Sequence, residues 1–145
     1  MAGEQDSVST TLVLESTLES VDKGEELVVE TARRMGFDED SLHEIGIATR
    51  ESLVNAVAHG NRYNARKKVT LRVETFGDRI EIQIADEGAG FNPDKVPNPL
   101  EDDNIMRHSG RGLLMVRAFM DEFKVDRGQH SGTSVLMVKT LRPKE

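Results

Sequence analysis

Cysteine is absent from this 145-residue chain, and proline is scarce, with four residues. Without cysteine there can be no disulfide, no thiolate metal site and no thiol nucleophile, an absence that suits the cytoplasm. Long apolar runs are missing too: none approaches the roughly 20 residues that a membrane helix needs. The segment Met1–Thr10 is acidic and polar, without the basic start and apolar middle of a signal peptide. Basic residues number 19 against 26 acidic ones, and the net charge of −7 argues against nucleic acid as the main partner. A bound nucleotide stays compatible with that balance, because a local site can be positive on an acidic surface. The histidines, His43, His59, His108 and His130, are scattered and show no metal-ligand spacing. No G-x-x-x-x-G-K-[ST] phosphate loop, no G-x-G-x-x-G fingerprint and no protein-kinase motif set occurs.

What is present describes one globular domain. Hydrophobic residues make up 37% and charged residues 31%, and the length allows a real core. Residues 1–8 form a polar tail ahead of a single domain over 9–145. Ser9 to Ser16 is short and β-branched, a first strand. Ser20 can cap a helix from Val21 to Met35 that Gly36 stops. Asp38 to Ser41 supplies acidic and capping residues for a long helix over about residues 40–62, and Tyr63 to Lys67 is a polar link. Val69, Leu71 and Val73 alternate with polar residues, as do Ile80, Ile82 and Ile84, with a Gly77-Asp78 turn between them: a hairpin with one apolar face. The region 88–109 has no regular pattern, and a loop of that length suggests a lid. Leu113, Val116, Phe119 and Met120 mark a third helix, and Lys124 to Arg127 and Thr133 to Thr140 two more strands. The expected fold is a two-layer α+β sandwich: a mixed, mostly antiparallel sheet of four to five strands, covered on one face by about three helices.

The long helix is unusual. At 100° per residue, Leu42, Ile45, Thr49, Leu53 and Ala56 form one apolar stripe. Glu51 and Asn55 fall nearly opposite, one turn apart, among Ile47, Val54 and Ala58. Such a face is either a satisfied polar spot in a core or the wall of a pocket. Two glycine pairs flank the lid. In Asp86-x-Gly88-x-Gly90 a carboxylate at a strand end could accept from an exocyclic amine, and the glycines would let backbone approach a flat ring. In Gly110-x-Gly112 free N–H groups at a helix start favour a polyphosphate. Gly132-Thr133 opens the last strand, where the Thr133 hydroxyl could touch the same ring. His59, one turn beyond Asn55, could close the pocket. Taken singly, each pair also fits an ordinary turn, and His59 an ordinary structural hydrogen bond.

In sequence order these features form a more specific pattern. Glu51-x-x-x-Asn55-Ala56-x-x-His59-Gly60, Asp86-x-Gly88-x-Gly90, a lid, Gly110-x-Gly112 and Gly132-Thr133 resemble the N, G1, G2 and final threonine boxes of the GHKL (Bergerat-fold) ATPases. Within that superfamily the chain most resembles the anti-sigma-factor serine/threonine kinases of the RsbW and SpoIIAB type. The residues that carry this are Asn55-Ala56-Val57-Ala58-His59-Gly60-Asn61, Gly110-Arg111-Gly112-Leu113-Leu114 and Phe119-Met120-Asp121, and the likeness runs from about Thr11 to Leu141.

The resemblance implies ATP and Mg²⁺ as cofactors, with Asn55 holding the metal and Glu51 as general base toward a seryl hydroxyl or water. It implies Asp86 at the adenine amino group and Gly88 and Gly90 shaping the base pocket. Gly110, Arg111, Gly112 and Leu113 would wrap the phosphates, and Thr133 would lie near adenine. The family's lid arginine stands in a Glu-Arg-Ser-Gly setting. Here the line is Met106-Arg107-His108-Ser109-Gly110, so His108 occupies that place and Arg107 or Arg111 would have to substitute. The implied partners are a sigma factor, a STAS-domain anti-anti-sigma protein and a second copy of the chain. Two other functions remain open on the sequence: an ATP-holding module that sequesters a partner without phosphotransfer, and a detached histidine-kinase catalytic domain.

Overall fold

The computed structural model describes residues 7–88, 112–127 and 132–141. Five strands and three α-helices follow in the order β1 (Val8–Glu15), α1 (Leu18–Met35), α2 (Glu39–Val54), β2 (Lys68–Thr75), β3 (Arg79–Ala85), α3 (Gly112–Phe119), β4 (Glu122–Arg127) and β5 (Thr133–Thr140). A π-helical turn, Asn55–Gly60, continues α2. The strands form one sheet in the order β1-β2-β3-β5-β4. All four pairings are antiparallel, so the mixed sheet expected from sequence is a wholly antiparallel one among the described residues. Among those residues no helix is long and apolar enough to cross a membrane.

Alternation decides which face of the sheet is covered. Val69, Leu71 and Val73 of β2 and Ile80, Ile82 and Ile84 of β3 are buried beneath the helices. The residues between them turn outward, with Arg72 opposite both Thr11 and Gln83 in register. Val21 and Val28 of α1, Ile45 and Leu53 of α2 and Val116 of α3 close the core from the other side.

Two local expectations are corrected. Thr17, not Ser20, caps α1: its hydroxyl accepts from the Ser20 backbone N–H at 3.2 Å, which puts Ser20 inside the first turn. The long helix is α-helical only to Val54; beyond it the Asn61 N–H reaches back five residues to the Ala56 carbonyl at 2.8 Å. At the far end of the core the buried Lys139 of β5 joins two helices. Its ammonium donates to Glu44 of α2 at 2.9 Å and to the carbonyl of Phe119, the last residue of α3. A cation at a helix C-terminus is favourably placed, since the last carbonyls carry partial negative charge.

Candidate functional site

The two faces of α2 differ as the helical spacing predicts. Leu42, Ile45, Thr49 and Leu53 are buried, as is Ala56 in the π turn, whereas Ile47, Glu51, Val54, Asn55 and Ala58 are all half-buried. A stripe neither sealed in the core nor open to water has the burial that a groove wall requires. Asn55 bears on the two meanings left open above. Its buried Nδ2 has no hydrogen-bond partner among the described residues, and leaving such a donor unsatisfied costs about 1–3 kcal/mol. The carboxamide of this half-buried residue carries the kind of oxygen donor needed by a metal ion that takes one protein oxygen and fills its shell from phosphates and water.

The π turn carries this face to Asp86. π turns widen the helix by one residue per turn and recur at functional sites. Here the last residue of the turn, Gly60, lies against the Asp86 side chain so closely that a β-carbon would strike the carboxylate. Asp86, 8% exposed, directly follows β3. Its Oδ1 accepts from the backbone N–H groups of Gly88 at 2.9 Å and Thr133 at 3.1 Å. Its own N–H donates to the Thr133 carbonyl at 3.0 Å. Among the described residues Oδ2 accepts no hydrogen bond. One oxygen thus holds the carboxylate in place, and the other, without a partner among the described residues, has the chemistry to accept from a donor such as an aromatic amine. Burial pushes the Asp86 pKa up, opposed by the two backbone N–H groups and, more weakly, by the charge of Lys67.

Two glycines shape this corner for reasons the sequence did not show. Gly132 has φ +81°, and a β-carbon on it would meet the Asp86 backbone carbonyl. Gly88 was expected to make room for a flat ring; in the structure its missing side chain makes room for the Gly60 carbonyl, where two backbone segments cross.

The expected residues are thus partly assembled. Gly60 connects the face bearing Glu51 and Asn55 to the cluster of Asp86, Gly88 and the half-buried Thr133. His59 lies on the π turn and is exposed. Gly112 and Leu113 open α3, as the third-helix pattern predicts. Gly90, Arg107, His108, Gly110 and Arg111, with nearly all of the 88–109 lid, lie outside the described residues. The residue that sequence reasoning passed over is Asn61, which is 2% exposed and hydrogen-bonded to three other segments. It closed the Asn55–Asn61 run that carried the resemblance, but nothing in the sequence gave it a role of its own.

The fold agrees with comparisons to known proteins. The histidine kinase-like ATPase domain matches residues 14–139, and the chain belongs to that family. Membership implies ATP as its nucleotide. Among curated relatives, the serine-protein kinase RsbW of Bacillus subtilis is 34% identical over 116 residues, covering 76% of this chain and 71% of the relative. The RsbW of Listeria innocua is 27% identical over 141 residues, 93% of this chain and 88% of that one. These relatives put the chain in the RsbW-type branch of the family, as the residue pattern implied. A solved structure of the RsbU and RsbW domains of a Mycobacterium tuberculosis protein superposes with a TM-score of 0.67 over 95% of this chain. At 18% identity that likeness shows a shared fold, and this chain spans 33% of the length of that one.

Proposed function

We propose that this protein is an ATP- and Mg²⁺-dependent protein-serine kinase that doubles as an anti-sigma factor. It would act in the cytoplasm as a homodimer, sequester a sigma factor, and phosphorylate a STAS-type anti-anti-sigma partner so that the sigma factor stays captured. The observation that carries the reading is the junction at Gly60: the helix bearing Glu51 and the unspent amide of Asn55 ends directly against the Asp86 carboxylate. The names of the RsbW relatives support the kinase assignment.

In this scheme Asp86 Oδ2 accepts from the adenine amino group, and the backbone pairing of Asp86 with Thr133 holds that acceptor in place. Glu51 takes the proton of the attacking seryl hydroxyl. Asn55 would hold Mg²⁺, which when bound neutralises phosphate charge. A general base of this kind contributes about 10²–10⁴-fold to rate. Glu51→Gln should therefore lose transfer of the γ-phosphate to the STAS protein by about that factor while still binding ATP. The rival is a module that holds ATP and sequesters its partner without transfer, favoured by His108 in the place of the family's lid arginine. Wild-type protein that binds ATP but leaves every co-encoded STAS protein unphosphorylated would establish the rival. An acid-labile phosphohistidine on a helical partner would instead make this a detached histidine-kinase domain.

A further inference from the structure

We propose that Asn61 is the positioning residue of the base pocket: it clamps the turn carrying Asp86 to the end of the central helix and thereby sets the preference for adenine over guanine. This rests on the reading of Asp86 as the acceptor for the adenine amino group.

The clamp is built from one buried amide. Asn61 Oδ1 accepts from the Glu87 backbone N–H at 2.8 Å. Its Nδ2 donates to the Ser16 hydroxyl at 2.9 Å and to the Lys68 carbonyl at 3.0 Å. Ser16, itself buried, donates a hydrogen bond to the Lys67 carbonyl at 2.6 Å. Glu87 closes the ring, its Oε1 accepting from the Lys68 N–H at 2.7 Å. One side chain thus joins the β1–α1 junction, the end of the π turn, the start of β2 and the turn after β3.

The register of this clamp bears on the carboxylate. Asn61 follows Gly60 in the chain, and Glu87 follows Asp86. The Asn61–Glu87 hydrogen bond therefore holds the pair Gly60-Asn61 against the pair Asp86-Glu87, with the next residue, Gly88, crossing the Gly60 carbonyl. The chain beyond Asn61 is bent to fit: Arg62 and Tyr63 adopt φ of +51° and +59°, a left-handed conformation uncommon in non-glycine residues. Sequences adopt such a conformation where surrounding contacts over-determine it.

Position matters because a carboxylate is not selective by itself. Opposite the 6-position it accepts from the adenine amine and repels the guanine carbonyl oxygen. Shifted along the base edge it would instead accept from the N1–H and 2-amino groups of guanine. What distinguishes the two bases is where the turn holds Asp86.

The test is displacement of a fluorescent ADP analogue from the full chain by ADP and by GDP, at a temperature where every variant is folded. Wild type should prefer ADP. Asn61→Ala should weaken ADP by about tenfold and GDP by less, so that the ADP-to-GDP ratio falls. A variant with a lower melting temperature and an unchanged ratio would show Asn61 to be merely structural and overturn the proposal. If Asn61→Ala does not fold, Asn61→Ser decides: its shorter side chain gives up the Glu87 N–H while keeping a polar group at the buried position, and a lowered ratio supports the clamp whereas an unchanged one overturns it. Wild type without a preference for ADP would remove the adenine reading of Asp86 and this inference with it; a preference that survives in the variants removes the inference alone.

Discussion

Replacing Asp86 by asparagine separates what holds the corner from what reads the base. The Oδ1 of asparagine can still accept from Gly88 and Thr133, at the 2.9 and 3.1 Å separations seen for the carboxylate. The other end changes from an acceptor to an NH₂ donor, which would face the adenine amine donor to donor. A hydrogen bond to a charged acceptor contributes about 1.5–3 kcal/mol, so the dissociation constant for ADP should rise about 10- to 150-fold. Stability should move the other way. Burial raises the Asp86 pKa above 3.8, so folding favours the protonated form. The folded chain then binds more protons than the unfolded one between that value and the raised folded pKa, and wild-type stability falls as pH rises through this window. Asp86→Asn escapes that loss, and at neutral pH it should be at least as stable as wild type. Thermal melts across about pH 4–8 alongside ADP displacement read both effects. A variant that binds ADP within about threefold of wild type would refute the base-reading role. One less stable throughout would show that the negative charge, not the acceptor geometry, holds the turn.

Two further substitutions probe the central helix and the π turn that continues it. The hydroxyl of Thr49 on the core face of α2 is buried without a partner, so Thr49→Val should stabilise by about 1 kcal/mol, raising the melting temperature by about 2–4 °C; an unchanged or lower value would reveal a partner for the hydroxyl. Gly60→Ala would drive a methyl into a carboxylate that two backbone N–H groups hold still. It should cost about 1–3 kcal/mol in denaturant unfolding and weaken ADP binding, and full stability with normal binding would mean that helix and turn are not in firm contact.

The hairpin and the two-sided helix were legible because periodicity is a local property. Val69, Leu71 and Val73 can share a face only in a strand, and only helical spacing sets Glu51 and Asn55 opposite Leu42, Ile45, Thr49 and Leu53. The cap of α1 was not legible: Thr17 and Ser20 are both capping residues, and the choice followed from the extended conformation of Thr17 as it leaves β1. The π turn left no mark in the composition, since its residues are ordinary helix and turn formers and its wider bonds are seen only in the hydrogen-bond pattern. Asn61 was present in the motif yet had no role to read, because its partners lie 45, 26 and 7 residues away.

The order of residues along the chain dictated the chemical inventory, the apolar faces and the family, because side-chain type and spacing act over one or two turns. Folding chose the partners. That Gly60 would rest on Asp86, that Gly88 would cross Gly60 and that one amide would tie four segments together depend on where distant backbone crosses. Burial and hydrogen-bond satisfaction are settled at such crossings, between groups that no local pattern relates.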